Sequence, residues 1–129
     1  MIDKKILLVD DDDSYLTMTK MALEAEGFQV QITNNPLQAL EYLKTNPVDL
    51  LLLDFFMPEL TGDKFVEQLR AFNQKLIVVL QTGYADENTP LELMKKIDIQ
   101  TYFDKTSGID NLVLLIHSIF RIVSKVQGN

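Results

Sequence analysis

The sequence predicts a single α/β domain, a doubly wound sandwich around a five-stranded parallel sheet. Three observations predict it. At 129 residues the chain is the length of one ordinary domain. Short apolar runs recur along it, and several are continuous rather than alternating, as in strands buried on both faces. Segments with helical spacing of apolar residues separate those runs, which is the alternation that makes a parallel sheet covered on both sides.

The elements follow in order. Lys5-Ile6-Leu7-Leu8-Val9 is the first strand, ended by Asp10. Ser14 to Glu26 carries Tyr15, Met18, Ala22 and Ala25 at helical spacing, and Gly27 is a natural C-terminal stop. Phe28 to Ile32 alternates apolar with glutamine, so it reads as an edge strand with one wet face. Pro36 to Thr45 opens with a proline suited to a first helical turn. Val48 to Leu53, broken only by Asp49, is the third strand and is followed by Asp54. Lys64 to Phe72 is the third helix. Leu76 to Leu80 is the fourth strand, followed by Gln81-Thr82-Gly83. Glu87 to Lys96 is a fourth helical segment, with Pro90 in its first turn. Thr101 to Asp104 is the fifth strand, followed by Lys105, and Ile109 to Val126 is the last helix.

Composition narrows the function. Hydrophobic residues at 47% and charged residues at 24% describe a globular chain that buries a core, not a disordered one. The absence of cysteine excludes disulfides, iron–sulfur clusters, thiolate zinc sites and a thiol nucleophile. A net charge of −7 argues against direct nucleic-acid binding by this domain. No signal peptide is visible and no apolar run approaches the roughly 20 residues of a membrane span. A cytoplasmic protein without membrane attachment is therefore expected.

In an open parallel sheet, ligands bind beyond the carboxyl ends of the strands. The polar residues there are Asp10, Asp11, Asp54, Thr82 and Lys105. If the strand order is 2-1-3-4-5, they are neighbours along one edge. Asp54 then stands in the middle, the aspartate pair on one side and Thr82 and Lys105 on the other. Clustered carboxylates must share protons or bind a cation. Oxygen ligands without histidine or cysteine nearby suit Mg²⁺ or Mn²⁺ rather than zinc. A carboxylate nucleophile, a divalent cation, a hydroxyl and an ammonium together suit phosphoryl transfer.

The stretches Ile6-Leu7-Leu8-Val9-Asp10-Asp11-Asp12, Leu52-Leu53-Asp54-Phe55-Phe56-Met57-Pro58-Glu59-Leu60-Thr61-Gly62, Thr82-Gly83 and Tyr102-Phe103-Asp104-Lys105 carry a family signature. From about Lys5 to about Lys125 the chain resembles the receiver domain of bacterial two-component response regulators, CheY-like modules with a flavodoxin-like fold. The resemblance implies a phosphorylation-dependent switch rather than a turnover enzyme, with only self-phosphorylation and autodephosphorylation as its own chemistry. It implies Asp54 as phospho-acceptor from a sensor histidine kinase or a phosphotransfer protein. It implies Mg²⁺ (or Mn²⁺) held by Asp11, Asp54 and the Phe56 carbonyl, with Asp10 acting through water. Thr82 and Lys105 would engage the phosphoryl group, and Tyr102 would be the switch aromatic. The surface of the fourth helical segment, fifth strand and last helix would then change, to control an output domain or partner protein, or to form a homodimer. The domain expectation is one receiver over residues 1–129, stand-alone or part of a longer chain.

Some residues depart from the family pattern. Thr106 replaces the proline that usually follows the lysine, so a trans bond or a re-routed loop is expected there. Phe56 and Tyr84 are bulky at positions flanking the path of hydrolytic water, which predicts a long-lived phosphoryl state. Leu114 and Ile122 are expected to face away from the core, offering a contact surface. Asp12 and Asp13 read as residues of a helix N-terminus, and His117 as structural.

Two other functions compete. Asp10-Asp11-Asp12 has the spacing of an aspartyl-nucleophile phosphohydrolase of the haloacid-dehalogenase kind. The apolar surroundings of Asp54, the short chain and the lack of a cap insertion argue against it. A flavin-binding module shares the layered fold, but the acidic loop after the first strand would repel a flavin phosphate.

Overall fold

The computed structural model describes residues 3–83 and 98–126. Five parallel strands form one sheet, in the order β2-β1-β3-β4-β5. They are β1 (Lys5–Val9), β2 (Gln29–Thr33), β3 (Leu50–Asp54), β4 (Ile77–Thr82) and β5 (Thr101–Asp104). The helices are α1 (Asp13–Ala25), α2 (Pro36–Thr45), α3 (Gly62–Arg70) and a C-terminal helix (Ile109–Val126). The expected helix at Glu87 to Lys96, and Tyr84 before it, lie outside the described residues.

Local sequence fixes most of the ends. Asp12 caps α1 by accepting from the Tyr15 N–H at 3.1 Å. Beyond α1, Gly27 takes φ 100°, and the Phe28 N–H reaches back to the Leu23 carbonyl at 3.2 Å. That return bond keeps Phe28 in the turn, so β2 starts at Gln29, one residue later than expected. Asn35 Oδ1 accepts from the N–H groups of Leu37 and Gln38, and Pro36 opens the helix, which makes α2 coincide with its expected span. In contrast α3 starts two residues before the expected Lys64, directly after Thr61. The strand β3 begins at Leu50 because Asp49 turns its Oδ2 onto the Lys5 N–H.

Each face of the sheet carries one apolar layer. Leu7, Val9, Leu51, Leu53, Val78 and Leu80 meet Leu40 and Leu43 of α2 and Phe65 and Leu69 of α3. On the opposite face Ile6, Leu8, Leu50, Leu52 and Val79 meet Leu16 and Leu23 of α1 and Leu112 and Ile116 of the C-terminal helix. This double burial is why β1 and β3 are continuous apolar runs. Leu114 and Ile122 are 64% and 62% exposed, as expected from their place on the helix. No described helix is long and apolar enough to cross a membrane.

Candidate functional site

The sheet places four of the sequence-predicted residues at its carboxyl edge. Asp10 follows β1, Asp54 ends β3, Thr82 ends β4, and Lys105 follows β5. Asp10 and Thr82 are fully buried, and Asp54 is 4% exposed. Asp11 remains exposed. The carboxylates of Asp10, Asp11 and Asp54 offer oxygens within 4.8 Å of one another. Lys105 was expected on the far side of Asp54 from the aspartate pair. Its long side chain instead crosses over, pairing with Asp10 while its Nζ stands 3.5 Å from Asp54 Oδ1.

The electrostatics follow from that crowding. Burial, and then the neighbouring Asp10 carboxylate, push the Asp54 carboxyl up to about 7, against the opposing pull of Lys105. Asp10 is also raised, mainly by burial, with the Lys105 hydrogen bond working the other way. The Phe56 N–H donates to the Asp54 carboxylate, and the Asp12 N–H donates to Asp10 Oδ1 at 2.9 Å. An acidic cluster so costly to charge is relieved by a cation. Its all-oxygen donor set fits a small hard divalent ion.

The remaining predicted residues stand around this centre. Phe56 is 43% exposed and packs edge-on against Phe55, with ring centroids 4.7 Å apart. Tyr102 is half-buried on β5, in register with Leu80 and outside the carboxylate cluster. The Lys105–Thr106 bond is trans. Asp104 Oδ1 accepts from both the N–H and the hydroxyl of Thr106, at 2.9 and 2.7 Å, closing a short 3₁₀ turn over Lys105–Ser107. Asp12 caps α1, while Asp13 in its first turn accepts from the Asn34 amide at 3.0 Å. His117 lies away from the site, 2.9 Å from Glu26 and with its ring tilted against Phe28, centroids 5.1 Å apart.

Two residues of the site were not singled out from sequence. The Tyr15 hydroxyl donates to Gln81 Oε1 at 2.6 Å, and the Lys105 ammonium lies 4.5 Å from the centre of the Tyr15 ring. Burial pushes the Tyr15 phenol up to about 12, so it is a neutral donor. The available signal was Gln81 itself, a polar residue between an apolar strand and Thr82.

The whole-chain comparisons agree with this geometry. The family model described as "Response regulator receiver domain" matches residues 6–117. The transcriptional regulatory protein ZraR of Klebsiella oxytoca is 34% identical over 111 residues, which are 86% of this chain and 25% of that protein. The transcriptional regulatory protein CpxR of Escherichia coli (strain K12) is 35% identical over 117 residues, 91% of this chain and 49% of that one. The chain thus spans a quarter to a half of the length of these relatives. Among solved structures, a CheY-like receiver domain protein from Methanospirillum hungatei JF-1 superposes with a TM-score of 0.85 at 27% identity. That match covers 96% of this chain and 98% of the other. With its sheet order, its edge of acids and its match over most of its length, the chain belongs to the response regulator receiver domain family of two-component systems.

Proposed function

We propose that Asp54 accepts a phosphoryl group, and that the resulting acyl phosphate switches the surface of the domain. The observation that carries this reading is the gathering of Asp10, Asp11 and Asp54 within 4.8 Å, with Lys105 Nζ 3.5 Å from Asp54 Oδ1. The donor is a phosphohistidine on a sensor histidine kinase or phosphotransfer protein. A carboxylate oxygen of Asp54 attacks phosphorus in line, the P–N bond breaks, and the imidazole leaves. Asp11, Asp54 and the Phe56 carbonyl would hold Mg²⁺ (or Mn²⁺), with Asp10 acting through water, and the ion would neutralise charge on the transferring oxygens. Lys105 exchanges part of its carboxylate pairing for a phosphoryl oxygen, and Thr82 donates its hydroxyl to another.

Asp10 is the poorer nucleophile, since it is fully buried and already engaged by Lys105. That disfavours the phosphohydrolase alternative, which needs an acid of the first loop as nucleophile.

The new charge draws Thr82 inward and lets Tyr102 turn after it. The face built from β5 and the C-terminal helix changes with it, and through that face the domain acts on an output domain, a partner protein or a second copy. The setting is the cytoplasm, and residues 1–129 act as one receiver unit. Incubation with acetyl phosphate and Mg²⁺ tests the reading. Mass should rise by one phosphoryl group in the wild type and not in Asp54→Asn; equal labelling of both would overturn it.

A further inference from the structure

Lysine is a compact charge on a flexible four-carbon stem, so something must hold Lys105 if it is to stand ready at the acceptor. Two acids supply the pull, and α1 supplies a surface. The Tyr15 ring lies beneath the Lys105 ammonium, 4.5 Å from centroid to Nζ. The same ring is fixed at its far end, because its hydroxyl donates to Gln81 Oε1 at 2.6 Å. Gln81 is itself fully buried on β4, paired in register with Asp54 on one side and Phe103 on the other. The ring is therefore clamped between the start of α1 and the strand that carries Thr82, and it cannot swing out with its helix turn.

We propose that Tyr15 is a positioning residue for phosphoryl transfer: its face holds the Lys105 ammonium beside Asp54, and its hydroxyl bond to Gln81 keeps that face in place. The inference rests on Asp54 being the acceptor. A cation resting on an aromatic face keeps its attraction while desolvated, where a leucine of similar bulk offers none. Tyr15 thus reduces the number of positions Lys105 can take before the transferring oxygens arrive.

The test uses the full chain with acetyl phosphate and Mg²⁺, comparing wild type, Tyr15→Phe and Tyr15→Leu. Melting temperatures are measured alongside, and the Lys105 ε-methylene protons are followed by NMR without phosphodonor. In the wild type those protons should resonate upfield of ordinary lysine, shielded by the ring. Tyr15→Leu should lose that shift and slow phosphorylation by about tenfold. Tyr15→Phe keeps the ring but not its anchor, so it should show a smaller shift and a rate between the other two, while melting lower for want of the Gln81 bond; a shift and rate equal to wild type would overturn the anchoring role of the hydroxyl. An unshifted Lys105 in the wild type overturns the proposal, and that result stands even if Tyr15→Leu fails to fold. A Tyr15→Leu protein that is phosphorylated at the wild-type rate overturns it too. Absence of labelling in the wild type would instead sink the acceptor assignment, leaving the NMR result to judge Tyr15.

Discussion

The Lys105 ammonium stands 3.5 Å from Asp54 Oδ1 yet is paired more closely with Asp10. One cation thus serves two buried acids, with a third, Asp11, beside them. The cluster carries more negative than positive charge once all its acids ionise, and this excess gives the domain a pH-dependent stability without metal.

The sign is set by Asp54. Its carboxyl is raised from 3.8 to about 7, so between those values the folded state holds a proton that the unfolded chain has released. Stability therefore falls as pH rises from about 4 to about 7, by up to about 4 kcal/mol from this group. In chelator, denaturation of Asp54→Asn should show a flatter pH dependence than wild type and greater stability above pH 7. Mg²⁺ at pH 8 should raise the melting temperature of the wild type far more than that of Asp54→Asn. Equal pH slopes for the two proteins would show that Asp54 is not strained in its charged form.

Gly62 opens α3 against the loop that follows Asp54. A Cβ there would stand 2.9 Å from Leu80 Cδ1 and 3.0 Å from the Phe55 Cα. Leucine can give way; the Phe55 backbone cannot do so without disturbing Asp54 and Phe56. Gly62→Ala should destabilise by about 1–3 kcal/mol despite the better helix propensity of alanine. Urea unfolding measures the loss, and Mg²⁺ affinity should fall with it.

Much of this arrangement was legible in the sequence. Strands buried on both faces must be apolar throughout, so the acids and the lysine that end them stand out, and Asp10, Asp54 and Lys105 were identified without coordinates. The Asn35-Pro36 pair gave α2 to the residue, because cap and first turn are both encoded locally. Elsewhere the limits were tertiary. The strand β4 continues through Gln81 to Thr82 because both pair in register with the neighbouring strands, and the Gln81 amide oxygen is met by the half-buried Tyr15 phenol, a partner 66 positions away. Polarity alone had ended the strand at Leu80. The reach of Lys105 across Asp54 to Asp10 depends on where a flexible side chain finds charge, which no spacing encodes. The helical spacing of Tyr15, Met18, Ala22 and Ala25 did not mark the buried face of α1, which is Leu16, Thr19 and Leu23 with Met18 exposed, so nothing in that pattern set Tyr15 apart.

Arg70 fastens the end of α3 to the segment entering β5. Its guanidinium donates to the Asp98 carbonyl from Nε and Nη2, at 3.1 and 2.8 Å, and to the Asn73 carbonyl at 3.2 Å. These are charge-assisted bonds from a side chain only 11% exposed. Arg70→Ala should cost about 1–2 kcal/mol, the net worth of charge-assisted bonds to carbonyls of which that of exposed Asp98 is open to water once the guanidinium is gone. Lysine cannot span the same fork, so Arg70→Lys should recover less than half of that loss in the same denaturation assay.

Phe56 is the residue through which the lifetime of a phosphoryl group on Asp54 can be tested. Its backbone N–H is tied to the Asp54 carboxylate, so its side chain stems from the wall of the acceptor site. The ring leans edge-on against Phe55 and leaves 43% of the residue exposed. Hydrolysis of an acyl phosphate needs a water in line with the P–O bond, and an apolar ring on that path lowers the local water density. Phe56→Ala should shorten the lifetime of the phosphorylated domain severalfold, and Phe56→Leu should fall between the two. Loss of the phosphoryl mass over time, after removal of acetyl phosphate, reads the lifetime directly. The folding stability of Phe56→Ala should change by only about 1 kcal/mol, because the ring is far from fully buried. An unchanged lifetime in Phe56→Ala would remove Phe56 from control of hydrolysis.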